Sequence, residues 1–131
     1  MIKVKYIYWI ATGLLCALYF AGAGLYTFNH PMVADMFPKL GYPVYLTYML
    51  PIVKVLGPVA ILSRYSLALS DLAYAGMFYH LILAFSAHVS SGLPGWQPSV
   101  AMFAVLLISF FTQNAARKNP SPYAGTRWGV A

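Results

Sequence analysis

Four apolar runs divide this chain, at residues 7–28, 43–62, 72–88 and 96–112. At a rise of about 1.5 Å per residue, each is long enough to cross the hydrocarbon core of a bilayer as a helix. The breaks between them carry turn and interface residues. Residues 29–41 include His30, Pro31, Asp35, Pro38 and Lys39, and Gly41-Tyr42-Pro43 turns the chain back. Within that break Met32, Val33, Met36 and Phe37 form an apolar stripe at helical spacing, which predicts a short helix lying in the membrane interface. Asn29 or His30 starts it, because Pro31 suits a first helical position. Ser63-Arg64-Tyr65-Ser66 is a brief polar link, and residues 89–94 form a tight turn rich in serine and glycine. The pattern predicts an all-α transmembrane four-helix bundle with a short interfacial helix between the first and second spans.

Finer periodicity assigns faces. Gly13, Ala17, Ala21 and Gly24 give the first span a small-residue stripe where another helix can approach closely. In the third span Ala73, Gly76, His80, Ala84, Ala87 and His88 share a face that reads as protein-facing, opposite Phe78, Ile82 and Phe85. Ser70 or Asp71 can cap that span. Tyr42, Tyr45 and Tyr48 crowd the start of the second span, and Trp96 marks the start of the fourth, as in the aromatic belts of membrane surfaces. Residues 1–118 thus form one four-span domain. The tail, residues 119–131, carries Pro120, Pro122, Gly125 and Gly129 and reads as irregular, and as poorly packed unless a partner or second copy holds it.

Composition agrees with the pattern. Of 131 residues, 61% are hydrophobic and only 8% charged, against about a quarter charged in a soluble domain. The four spans use most of the length, leaving no room for a soluble domain. The net charge of +6 comes from eight cations set against Asp35 and Asp71 alone. The cations lie at span ends rather than on one face, so they argue for topology and anionic lipid headgroups and against nucleic acid. Lys3, Lys5, Arg64, Arg117, Lys118 and Arg127 fall on one side of a four-span path and Lys39 on the other. The positive-inside rule then puts both termini in the cytoplasm. Ala21-Gly22-Ala23 has the form of a signal-peptidase site, but the apolar run continues past it, which favours an uncleaved first span. Cys16, the only cysteine, lies within that span and reads as a small buried hydrophobe.

Chemistry concentrates at one place. Lys54 stands in the middle of the second span between Pro51 and Pro58. A charge at that depth costs a few kcal/mol even on lenient insertion scales, so it sits against protein or water rather than lipid. Each proline frees the carbonyl four residues earlier, that of Thr47 for Pro51 and that of Lys54 for Pro58. The freed Thr47 carbonyl lies on the Lys54 face and is a candidate acceptor for the ammonium. His80 reaches a similar depth in the adjacent antiparallel span, where a neutral imidazole can orient a ligand or relay a proton. Two readings of this pair stay open: a ligand pocket, or a polar lock between helices. His88 lies about two turns further along the same face, beside Ser86, Ser90 and Ser91. His80 and His88 are too far apart for one metal ion, since i, i+4 is the chelating spacing on a helix. No carboxylate lies at that depth, so no metal site is expected. His80 has the chemistry of an axial haem ligand, but nothing else in the sequence points to haem. Asp35 and Asp71 lie on opposite sides of the membrane, and no Ser-His-Asp set is in place, so hydrolase chemistry finds no support.

The order and spacing of several short pieces carry a resemblance. They are Ala21-Gly22-Ala23-Gly24, then Leu40-Gly41-Tyr42-Pro43, Lys54-Val55-Leu56-Gly57, Asp71-Leu72-Ala73-Tyr74-Ala75-Gly76 and Ser86-Ala87-His88. Together, from Val4 to Lys118, the chain resembles the DoxX-like family of small bacterial four-helix membrane proteins. That family takes its name from similarity to a membrane subunit of a thiosulfate:quinone oxidoreductase, with relatives linked to thiol-redox complexes. The resemblance implies a bacterial inner-membrane location and matches Lys54, Gly57 and His88 to recurrent positions; His80 and Pro58 are not assigned by it. The expected function is a small membrane subunit, linked to redox chemistry, that binds a quinone-like or other small hydrophobic ligand. Lys54, His80, His88, Thr47 and Gly57 are the candidate ligand-binding residues. The alternatives are a non-catalytic assembly subunit, or a small transporter of lipid or metabolite. Partners are the lipid bilayer and, on the same reading, other membrane or redox subunits or further copies of the chain.

Overall fold

A computed structural model describes residues 2–116 and 121–124. Five α-helices follow in order: α1 (Ile2–Phe28), α2 (His30–Leu40), α3 (Leu46–Ser63), α4 (Leu67–Ser91) and α5 (Gln97–Thr112), the last continued by a 3-10 turn, Gln113–Ala116. Four stretches are long and apolar enough to cross a membrane: Val4–Phe28, Leu46–Ser63, Leu67–Ser91 and Gln97–Ala116. The protein is an all-helical integral membrane protein, and these four form the bundle. Neighbours in space are α1 with α3, α3 with α4, α4 with α5, and α5 back to α1. That closed ring makes α1 and α4 diagonal partners, so only long side chains meet between them.

The breaks sit where backbone chemistry puts them. Asn29 caps α2, with Pro31 in its first turn, and Gly41 ends it in the left-handed region (φ 87°). α2 lies across one end of the bundle, against α1, α3 and α4, with Val33 and Phe37 buried and Met32 exposed. The Phe37 ring meets Tyr26 of α1 edge-on, with centroids 5.8 Å apart. α3 runs unbroken through Pro51 and Pro58. At the opposite end of the bundle Arg64, just past α3, donates a hydrogen bond to the Ala116 carbonyl. Its guanidinium lies 5.5 Å from the centre of the Trp9 ring.

α4 is longer than the 72–88 run at both ends, and its cap is neither Ser70 nor Asp71. Ser66 takes that place, its hydroxyl accepting from the Leu69 N–H at 3.3 Å. Ser70 and Asp71 then fall inside the helix because both have partners there: Ser70 Oγ donates to the Ala60 carbonyl of α3 at 3.2 Å, and Asp71 accepts from Ser121. At the other end Ser91 returns its hydroxyl proton to the Ala87 carbonyl, and Gly92 (φ 73°) stops the helix. The turn expected at residues 89–94 is therefore shortened to the residues after Ser91.

The interior differs from the small-residue faces expected of it. On α1 the buried line is Tyr8, Ala11, Thr12, Leu15, Cys16, Tyr19 and Ala23. Of the expected stripe Gly13, Ala17 and Ala21 are exposed and Gly24 is half-buried, and a Cβ on Gly13 would meet nothing. On α4 the buried line is Ser70, Tyr74, Met77, Leu81 and Ala87, while Gly76 is exposed and Phe78 packs on the core, its ring 5.3 Å from Phe103. The reason is the diagonal geometry, which needs bulky side chains to fill the centre. Leu15, Tyr19, Ile61, Tyr74, Met77, Leu81 and Leu106 do so. A buried polar chain crosses the same interior: Thr12 Oγ1 lies 2.6 Å from Ser109 Oγ, which lies 2.7 Å from the Tyr74 hydroxyl. With no water in hydrocarbon, these groups must satisfy one another.

Residues 121–124 are irregular, as the sequence suggests, but they are packed against the bundle rather than loose. Asn114 clamps Ser121 from both sides, its Nδ2 donating to the Ser121 carbonyl (3.1 Å) and its Oδ1 accepting from the Ser121 N–H (2.7 Å). Ser121 Oγ donates to Asp71 Oδ2 at 2.9 Å. Ser121 and Ala124 are buried. Residues 119, 120 and 125–131, the rest of that expectation, lie outside the described residues. The clamp yields a prediction. Asn114→Ala strips partners from a buried backbone N–H and C=O, which costs about 1–3 kcal/mol. Thermal unfolding in detergent should show a lowered midpoint for this variant, and an unchanged midpoint would contradict the clamp.

Candidate functional site

α3 carries Lys54 at its middle, turned toward α1. A face of α1 receives it, built from Tyr19, Gly22 and Tyr26 at helical spacing. Lys54 lies directly over Gly22: a Cβ there would touch it, at 3.5 Å from Nζ and 3.6 Å from Cδ. Above and below that glycine, the ammonium lies 5.2 Å from the centre of the Tyr19 ring and 5.0 Å from that of Tyr26. Both distances fit attraction between a cation and the negative face of an aromatic ring. Among the described residues no carboxylate pairs with Lys54, the one ion pair being Lys39 with Asp35 on α2.

Tyr19 also faces the other way. Its hydroxyl lies 2.9 Å from Nδ1 of His80 on α4, the diagonal helix. Lys54, Tyr19 and His80 thus form a continuous polar line through the bundle, from α3 across α1 to α4. They border a cavity of about 330 Å³ between α3 and α4, whose walls include Gly57, Ala73, Gly76 and Met77. Its remaining polar side chains are none, and Val53, Leu56, Leu69 and Leu72 on its rim are exposed on the outer surface. In a bilayer that rim is lipid-facing, so the cavity opens sideways into hydrocarbon. Gly57 works by what it lacks, since a Cβ there would come within 3.0 Å of the Met77 methyl.

Of the five residues read as candidates, Lys54, Gly57 and His80 line this one cavity. Thr47 and His88 are placed elsewhere. The Thr47 hydroxyl donates to the Val44 carbonyl at 2.7 Å and meets His30 Nε2 at 2.7 Å, pinning α2 to α3. His30 also stacks on Tyr48, with centroids 4.4 Å apart. The Lys54 stem crosses to α1 instead of running back along α3, so its ammonium rests on ring faces rather than on the Thr47 carbonyl. His88 turns back on its own helix, Nδ1 donating to the Ala84 carbonyl at 2.8 Å. Its ring fills the space beside Gly95, where φ is 109° and a Cβ would meet it at 3.3 Å. That position closes the α4–α5 turn.

Tyr19, Gly22 and Tyr26 escape a reading of the sequence that treats tyrosines as membrane-surface residues. Their spacing was a usable signal: a glycine with a tyrosine about one turn to either side makes a slot for one long side chain.

No curated protein and no solved structure matches the chain. The sequence profile of the DoxX-like family matches residues 10–112, from the first half of α1 to the last residue of α5. Every residue that lines the cavity lies within that match, and the chain belongs to the DoxX-like family.

Proposed function

We propose that this membrane protein binds a small hydrophobic molecule with a polar, quinone-like head in the cavity between α3 and α4. The observation that carries the reading is the placement of Lys54 and His80 on one apolar cavity that opens toward lipid. A molecule dissolved in the bilayer can reach such a site without crossing water. Apolar walls with a few convergent polar groups are the usual make-up of a small-molecule site. Lys54 supplies a full positive charge toward a carbonyl or anionic oxygen, and His80 a second polar contact. The wider setting belongs to the same proposal: a subunit linked to redox chemistry in a bacterial inner membrane, with both termini cytoplasmic. The orientation in it is supported by the excess of cations at the Lys5 and Arg64 end over Lys39 at the other.

The second reading is a non-catalytic assembly subunit in which Lys54 locks α3 to α1. The two tyrosine faces around the ammonium favour it, because they provide for the charge with no ligand present.

Lys54→Met separates the two. It keeps the stem and removes a charge that has no carboxylate partner, a change that is often neutral or stabilising. On the ligand reading the variant folds, keeps its thermal midpoint in detergent, and loses affinity for a decyl benzoquinone in nanodiscs. The loss should be about tenfold or more, as for a hydrogen bond from a charged donor. Binding equal to the parent's would sink the ligand reading, and failure to fold would establish the lock. Topology has its own check. In a Cys16→Ser background, cysteines at positions 35 and 92 should label from outside intact cells and one at position 64 should not. External labelling at 64 would reverse the orientation.

A further inference from the structure

A second cavity, of about 580 Å³, lies between α4 and α5. α4 separates it from the Lys54 cavity, and its charge is the reverse. Among the described residues on its walls the one charged side chain is Asp71, in the second turn of α4. Asp71 Oδ2 accepts from Ser121 Oγ at 2.9 Å, while Oδ1 is buried and has no hydrogen-bond partner among the described residues. No cation pairs with it there either, the one ion pair being Lys39 with Asp35. A single hydroxyl leaves most of a carboxylate's charge unanswered, and an unanswered charge in apolar surroundings is costly.

The rest of the wall is aromatic and aliphatic. Tyr74, one turn on from Asp71, meets Phe110 of α5 edge-on with centroids 5.4 Å apart, and Tyr123 follows Ser121 at the same end. Ring faces attract a cation, more strongly where water is excluded. From Asp71 the cavity runs along α4 as far as Tyr79, about 12 Å at the helical rise. Leu72, Tyr79 and Phe111 on its walls are exposed on the outer surface, so in a bilayer it opens sideways to lipid. Asp71 lies near the end of its span, which puts the charged end of the cavity close to the membrane surface and the apolar end toward the middle.

We propose that this cavity binds a single-chain amphiphile with an ammonium head, the cation beside Asp71 and the rings, the chain along α4 and α5. The head need not touch the buried Oδ1, because opposite charges attract strongly across a short apolar gap that screens them little. Zwitterionic lipid heads carry a cation too, but their phosphate would stand against the same carboxylate. The site stands whether or not the Lys54 cavity takes a ligand.

Dodecylamine and dodecanol share a chain and differ only in the head. They would be offered at equal mole fraction in phosphatidylcholine nanodiscs at neutral pH, and their occupancy read by native mass spectrometry. The parent should hold the amine about tenfold or more over the alcohol, as for one poorly screened charge pair. Asp71→Asn keeps an oxygen for Ser121 and removes the charge, so the preference should vanish. Ala75, exposed on the cavity wall, offers a second variant. Ala75→Trp should fill the cavity and exclude the amine with Asp71 in place. Equal occupancy in the parent, or a preference that survives either substitution, would overturn the site. A preference lost on changing to phosphatidylethanolamine nanodiscs would overturn the single-chain class, since the lipid head would then be the occupant. Should Asp71→Asn fail to fold, the parent comparison and Ala75→Trp decide the matter.

Discussion

An ammonium at the middle of a membrane span is the constraint around which this bundle is arranged. A lysine at the centre of a transmembrane helix costs about 3 kcal/mol on insertion scales. Removing it to water means reaching a surface several turns away, and no carboxylate is at hand. The solution is aromatic. A desolvated cation over a ring face gains about 2 kcal/mol or more, and Lys54 has two such faces, from Tyr19 and Tyr26. The two terms are of the same size, so the charge is held inside at little net cost. It stays available to act on something else.

Two consequences follow from that choice. α1 presents Gly22 between the tyrosines, where even a Cβ would stand in van der Waals contact with the lysine side chain. Tyr19, committed to Lys54 through its ring, has only its hydroxyl left for the opposite helix, and it spends that on His80. One side chain thereby couples the charge on α3 to the imidazole on α4. A separate chain, Thr12 to Ser109 to Tyr74, ties α1, α5 and α4 elsewhere in the same interior. Polar groups carry these crossings because lipid offers no hydrophobic reward for pressing helices together.

The path of the chain was legible in the sequence because long apolar runs, Pro31, Gly41 and Gly92 act locally. α4 outran its apolar core for a reason that is not local: Ser70 finds Ala60 on another helix and Asp71 finds Ser121 far along the chain. The faces misled for the same reason. Period alone marks Gly13, Ala17 and Ala21 as a stripe, but which neighbour meets that stripe depends on how four helices close into a ring, and here none does. Lys54 and His80 stood out as polar groups in apolar surroundings. Thr47 enters as a candidate through the carbonyl that Pro51 frees and His88 through the face it shares with His80, yet their side-chain hydrogen bonds are to His30 and Val44 and to Ala84. Tyr19 and Tyr26 were hidden by chemistry common to two settings, since a tyrosine suits a membrane surface as well as a cation.

A double-mutant cycle on Lys54 and Tyr26 tests most directly whether aromatic faces hold the ammonium inside the bundle. Tyr26 is the better partner, because Tyr19 also serves His80. Unfolding free energies in bicelles would be compared for the parent, Lys54→Met, Tyr26→Leu and the double variant. The account predicts that the two substitutions are coupled by about 1 kcal/mol or more, the size of a desolvated cation–ring contact. Additive effects, with coupling below about 0.3 kcal/mol, would place the lysine head away from the ring and contradict it.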